Sequence, residues 1–177
     1  KNVALVEQLD DGIGRVIKAL KASGQYENTI IVFSSDNGGH LPSGASNGNL
    51  RGGKIDMYEG GIKVPTCMLW KNKIKSNTAC NVTGVTMDFY ATLTNLAGVE
   101  VNHEVDAIDL LSGISDKTIK KDDRTIYFVR RAGYNYSGLC YYAVRKGDYK
   151  LVQNSPFEEF QLFNIKEDPF ETIPFSV

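Results

Sequence analysis

Thr29-Ile30-Ile31-Val32-Phe33 is a short, almost wholly apolar, β-branched run that stops abruptly at Ser34-Ser35-Asp36-Asn37-Gly38-Gly39-His40. A run of that kind suits a strand covered on both faces, as strands of a parallel sheet are. The preceding residues 3 to 22 repeat Val6, Leu9, Ile13, Val16, Ile17 and Leu20 at three- and four-residue steps, which predicts an amphipathic helix stopped at Gly24. Helix, short loop and buried strand make half of a βαβ repeat. One such step cannot build a sheet, so the fold is expected to begin outside this chain.

Open α/β sheets carry their ligands on loops just past the strand ends. Asp36 and Asn37 stand there, and both offer hard oxygens, which suit Ca²⁺ or Mg²⁺ rather than zinc. Gly38 and Gly39 let the backbone turn sharply behind them. Asp-Asn-Gly is equally a common turn signal, and on those residues alone both readings stay open. Leu50-Arg51-Gly52-Gly53-Lys54 follows as a second glycine-flanked turn, where a lysine ammonium could meet an oxyanion. Asp10 and Asp11 read as a solvated helix face.

Further along, Val64 to Trp70 is expected as a strand, Lys71 to Asn81 as an exposed connection, and Thr86 to Ala97 as a helix ending at Gly98. Phe89, Tyr90, Leu93 and Leu96 would form its core side. A mixed-charge run over residues 115 to 124 suggests a boundary. Beyond it lie four strand candidates: Thr125 to Arg130, Tyr141 to Arg145, Tyr149 to Val152 and Phe160 to Ile165, with Lys146-Gly147-Asp148 as a hairpin connection. The fold class is therefore α/β, with residues 1–122 forming an α/β part and residues 123–177 a small antiparallel subdomain.

The 177 residues carry a formal net charge of −1, which argues against a nucleic-acid partner. No apolar run approaches the length that spans a bilayer. The first residue is Lys1 rather than Met, so the lack of a targeting segment leaves the compartment open. Cys67, Cys80 and Cys140 form no zinc pattern with His40 and His103; Cys67 is expected as a buried small hydrophobe. Asn81-Val82-Thr83 and Asn135-Tyr136-Ser137 match the glycosylation sequon and carry little weight as triplets.

Taken together, Ser35-Asp36-Asn37-Gly38-Gly39, Leu50-Arg51-Gly52-Gly53-Lys54 and Tyr58-Glu59-Gly60-Gly61-Ile62-Lys63-Val64-Pro65 resemble the sulfatase family. Phe89 to Gly98, Asp106 to Leu110, Ala143 to Leu151 and Leu162 to Pro169 extend the resemblance over nearly the whole chain. The resemblance implies the C-terminal part of an alkaline-phosphatase-like parallel-sheet sandwich, followed by a small antiparallel α+β subdomain. It implies that Asp36 and Asn37 ligate a divalent cation, usually calcium, with magnesium possible. It implies that Lys54 contacts the sulfate group as a catalytic residue. Arg51, beside it, and His40, on the rim, are carried as substrate-binding candidates, each weighed against a structural role. Glu59 is expected to hold the Gly60-Gly61 turn, and His103 receives no role.

The family's nucleophile is a formylglycine made from Cys or Ser in a Cys/Ser-x-Pro-x-Arg motif, and none of the three cysteines has that context. The family's early Asp-Asp ligands are also absent. Calcium takes about six to eight oxygens, more than Asp36 and Asn37 supply. The chain thus looks like part of a sulfatase bearing half an active site, inactive alone, with the missing N-terminal part of the same polypeptide as partner and formylglycine upstream. The substrate would be a sulfated small molecule or glycan. The compartment would be periplasmic, secreted or lysosomal. Two alternatives stand beside this: a phosphate or phosphonate ester hydrolase of the same superfamily, or a non-catalytic anion-binding module. Tyr134, Tyr136, Tyr141 and Tyr142 read as strand packing or a sugar rim.

Overall fold

A computed structural model describes residues 2–112, 124–131, 133 and 138–175. The boundary expected at residues 122 and 123, and the tyrosines at 134 and 136, lie outside them. Contacts group the chain into two units, one of residues 1–77 with 126–177, the other of residues 78–125.

In the first unit, helix α1 spans Asn2–Ala22. It ends in a Schellman motif at Gly24 (φ +74°), where Gln25 N–H reaches the Leu20 carbonyl at 3.0 Å and Gly24 N–H the Lys21 carbonyl at 3.2 Å. None of its residues is buried, and Val3, Leu5, Val6, Leu9 and Val16 lie open along its surface. Strand β1 (Ile31–Ser34) pairs antiparallel with β2 (Thr66–Leu69), with Val32 opposite Met68. The expectation of a strand covered on both faces is corrected here. Among the described residues β1 has β2 as its one neighbour, and Phe33 keeps 40% of its surface. Cys67, expected inside, is exposed, as are Thr66 and Leu69 of the same strand.

The four strands β3 (Thr125–Arg131), β4 (Cys140–Lys146), β5 (Tyr149–Gln153) and β6 (Gln161–Asn164) form one sheet in chain order. β4 and β5 meet through the two residues Gly147 and Asp148, and Gly147 takes φ +59°, as a tight hairpin requires. Alternate residues Ala143, Val152 and Phe163 point inward. They pack on Met57 and Tyr58, which arrive from the loop ahead of the short helix α2 (Glu59–Ile62). The small sheet therefore supplies the floor for the segment that carries Arg51 to Gly61.

The second unit is organised by helix α3 (Asp88–Leu96). Its buried positions are Asp88 and Thr92, not the aromatic side the periodicity suggests; Tyr90 and Leu93 are exposed. Polar atoms win because they have partners. Arg124 grips both Asp88 oxygens at 2.6 and 2.8 Å, the amides of Ile108 and Val85 complete them, and Thr92 receives the Leu110 N–H at 2.9 Å.

Candidate active site

Three glycine-rich loops stack backbone to backbone past the end of β1. Gly38 N–H donates to the Gly61 carbonyl at 2.8 Å, Lys54 N–H to the Gly39 carbonyl at 2.9 Å, and Gly60 N–H to the Arg51 carbonyl at 2.7 Å. The stacking has no room for side chains. A Cβ on Gly38 would lie 1.7 Å from the Gly60 oxygen, and one on Gly60 would lie 2.2 Å from the Gly52 oxygen. So these glycines do more than turn the chain; they let three backbones touch.

Side chains lock the stack. Asn47 accepts the Gly39 N–H at 2.8 Å through Oδ1 and donates to the Gly52 carbonyl at 3.0 Å through Nδ2. Asp56 accepts the Gly53 N–H at 2.7 Å and an amide proton of Asn154 at 3.0 Å, while Asn154 accepts the Met57 N–H at 2.6 Å. Asn47 sits among turn residues and gave no sequence signal.

Asp36 is exposed and Asn37 half-buried, and the Asn37 amide donates to Asp36 Oδ2, so the two side chains converge. Their oxygens fit a hard cation in kind but not in number. Among the described residues, no three His, Cys, Asp or Glu side chains gather as a metal site. Lys54 is exposed, with its backbone tied to Gly39, three residues past Asp36. His40 is exposed, with Nδ1 2.6 Å from the Ser43 hydroxyl. These four surround one stack of loops.

Arg51 belongs to the same stack but its guanidinium turns to the protein. It lies 3.8 Å over the Tyr58 ring and donates to the Glu171 carbonyl at 2.8 Å. Burial pushes the Tyr58 hydroxyl up, against the pull of Arg51; that hydroxyl donates to Gln161 on β6 at 2.9 Å.

Beneath the stack lies an ion cluster. Lys150 of β5 and Glu171 are fully buried, and Glu59 nearly so. The Lys150 ammonium donates to Glu59 Oε1 at 3.0 Å and stands 2.8 Å from Glu171 Oε1, off the hydrogen-bonding direction. Glu171 Oε2 accepts the Glu59 N–H at 2.6 Å, completing the first turn of α2. Glu59 was expected to hold the Gly60-Gly61 turn; its side chain goes instead to Lys150, and its own N–H is held by Glu171. Its partners were hidden, although both lie in or beside the C-terminal blocks that carry the resemblance.

A family model described as Sulfatase matches residues 2–99, and one described as N-sulphoglucosamine sulphohydrolase, C-terminal, matches residues 53–174. The chain is 34% identical to a sulfatase of Formosa agariphila, over 96% of this chain and 34% of that protein. It is 32% identical to the N-acetylgalactosamine-6-sulfatase of Rattus norvegicus, over 88% of this chain and 30% of that protein. The chain therefore spans about a third of the length of these relatives. Among solved structures, Ps i-CgsB superposes with a TM-score of 0.86 at 33% identity, covering 97% of this chain and 37% of the other. BT4656, solved with its substrate D-glucosamine-2-N,6-O-disulfate, gives 0.75 at 25% identity, covering 96% and 34%.

Proposed function

The chain belongs to the sulfatase family, and from that premise we propose that it supplies the lysine-bearing half of a site that hydrolyses sulfate monoesters. The observation that carries this reading is the 2.9 Å bond from Lys54 N–H to the Gly39 carbonyl, braced by Asn47, which fixes the lysine turn against the Asp36–Asn37 loop. In this reading Asp36 and Asn37 hold a divalent cation, calcium or magnesium, which supplies positive charge to a sulfuryl oxygen when bound. Lys54 meets a second oxygen and stabilises the negative charge that grows there. His40 borders the ester. Arg51 shapes the turn through its carbonyl and its contact with Glu171.

The remaining ligands and the nucleophile, a formylglycine in this family, come from further polypeptide that packs on this chain. The exposed apolar stripe of α1 and the shortage of metal ligands among the described residues support that arrangement. A sulfated sugar is the substrate class we favour, since relatives act on or bind such sugars by name. No helix among the described residues is long and apolar enough to cross a membrane.

The test is sulfate release from an aryl sulfate and from 6-O-sulfated amino sugars by the whole polypeptide that carries these residues, beside its Lys54→Ala variant. Loss of a preorganised charge at the reacting group lowers kcat by roughly 10²–10³-fold. Phosphate release from aryl phosphates without sulfate release would move the site to phosphate-ester chemistry.

A further inference from the structure

We infer that Glu171 is a positioning residue for the sulfate-facing turn, closing a ring of hydrogen bonds that joins the end of the chain to Arg51 and Glu59. The inference rests on the proposed sulfatase site for what the turn does, and on geometry alone for how the turn is held. The ring has three bonds. The Glu171 carboxylate accepts the Glu59 N–H at 2.6 Å; the next amide, Gly60 N–H, donates to the Arg51 carbonyl at 2.7 Å; the Arg51 guanidinium returns to the Glu171 carbonyl at 2.8 Å. One residue therefore grips Arg51 and Glu59, the neighbour of Gly60, on the two sides of the bond that pins the Arg51–Lys54 turn onto α2. Through Gly61, the same helix holds Gly38, next to Asn37.

The segment around Glu171 is built for this placement. Glu171 has φ +55°, a conformation that costs a side-chain-bearing residue and persists only when its surroundings impose it. Asp168 imposes it: Oδ2 accepts the Thr172 and Ile173 amides at 2.7 and 2.9 Å, and Oδ1 the Thr172 hydroxyl at 2.9 Å. Asp168-Pro169-Phe170-Glu171 is thus a turn that presents a carboxylate inward. Lys150 meets that carboxylate from β5, so its charge is compensated where water is excluded.

The experiment is amide hydrogen exchange on the whole polypeptide that carries these residues, wild type against Glu171→Gln, with inorganic sulfate titrated in by NMR and followed at Lys54. The Glu59 and Gly60 amides should exchange about tenfold faster or more, the scale of one lost charge-assisted hydrogen bond, while the β4–β5 ladder keeps its rate. Sulfate affinity at Lys54 should fall about tenfold with it. Val152→Ala, a core change on β5 that removes none of the three ring bonds, should speed the ladder and leave the ratio of Glu59 to ladder exchange unchanged. Glu171→Asp, which keeps the charge but shortens the arm, should open the same two amides. Uniform acceleration across the unit, the same local pattern in Val152→Ala, or unaltered sulfate affinity in Glu171→Gln overturns the inference. Failure of both Glu171 variants to fold while Val152→Ala folds also overturns it, making Glu171 a folding residue. If the wild-type whole polypeptide takes no sulfate, the sulfatase reading of Lys54 fails, and the exchange comparison alone decides for or against the ring.

Discussion

Arg51 donates a 2.8 Å hydrogen bond to the main-chain carbonyl of Glu171 across 120 residues of sequence. The arginine beside the candidate sulfate lysine is therefore held from behind. Its planar head lies on Tyr58, and Tyr58 is anchored in turn to β6. The consequence is a division of labour between two neighbouring cations: Lys54 projects to solvent, and Arg51 fixes the turn that projects it.

Lys150→Ala removes the one ammonium between two buried carboxylates. Breaking a buried ion pair by deleting one partner costs about 3–5 kcal/mol. Urea unfolding of the variant should show a loss in that range. A loss below about 1 kcal/mol, the scale of an exposed pair, would mean the cluster is solvated in solution.

Burial and, more weakly, the charge of Glu59 hold the Glu171 carboxyl above its ordinary 4.5, although Lys150 and the Glu59 amide pull it down. A raised folded value means the native state binds this proton more tightly than the unfolded chain. The contribution of Glu171 to stability is then full below pH 4.5 and is lost as pH rises through the folded value. Glu171→Gln cannot titrate, so the difference in unfolding free energy between wild type and variant should shift toward the variant as pH rises above 4.5. Parallel pH profiles for the two proteins would contradict this.

Asp88 has the opposite sign. Burial pushes its carboxyl up, but the Arg124 guanidinium with the Ile108 and Val85 amides outweighs burial and leaves it below the ordinary 3.8. Its stabilisation is present above pH 3.8 and is lost as pH falls through the folded value. Protection of the Ile108 amide should therefore drop in acid. Asp88→Ala should cost residues 78–125 about 3 kcal/mol at neutral pH, the low end for a buried pair, because Arg124 is partly exposed.

Glycine substitutions separate contact from conformation. Gly60→Ala would drive a methyl to 2.2 Å from the Gly52 oxygen and 2.4 Å from the Arg51 oxygen, both main-chain atoms that cannot swing aside. It should lower stability by at least the 1–3 kcal/mol typical of overpacking and shift the NMR signals of Gly52 to Lys54. Gly14→Ala meets nothing within 4 Å on α1 and should stabilise the helix by about 0.5–1 kcal/mol. Thermal unfolding of the pair checks both signs.

The sequence by itself determined the local elements and which side chains stand at the candidate site. Helix α1 and its stop at Gly24, the hairpin at Gly147, and the loops bearing Asp36, Asn37, His40 and Lys54 all follow from short-range rules of period, turn and charge. Glu59 was legible only as an acidic residue beside the Gly60-Gly61 turn. Tertiary structure alone decided what holds it: Lys150 is 91 residues away and Glu171 is 112. It also decided which sides are covered. β1 is half open and Tyr90 and Leu93 of α3 lie exposed, because burial depends on what packs against a face and periodicity reports only that a face exists. The interlock of Gly38, Gly53, Gly60 and Gly61 was hidden for a related reason. Sequence shows that a glycine frees its own backbone, whereas the lack of a Cβ matters here because the backbone of another turn, such as Gly60 against Gly38 or Gly52 against Gly60, fills the space.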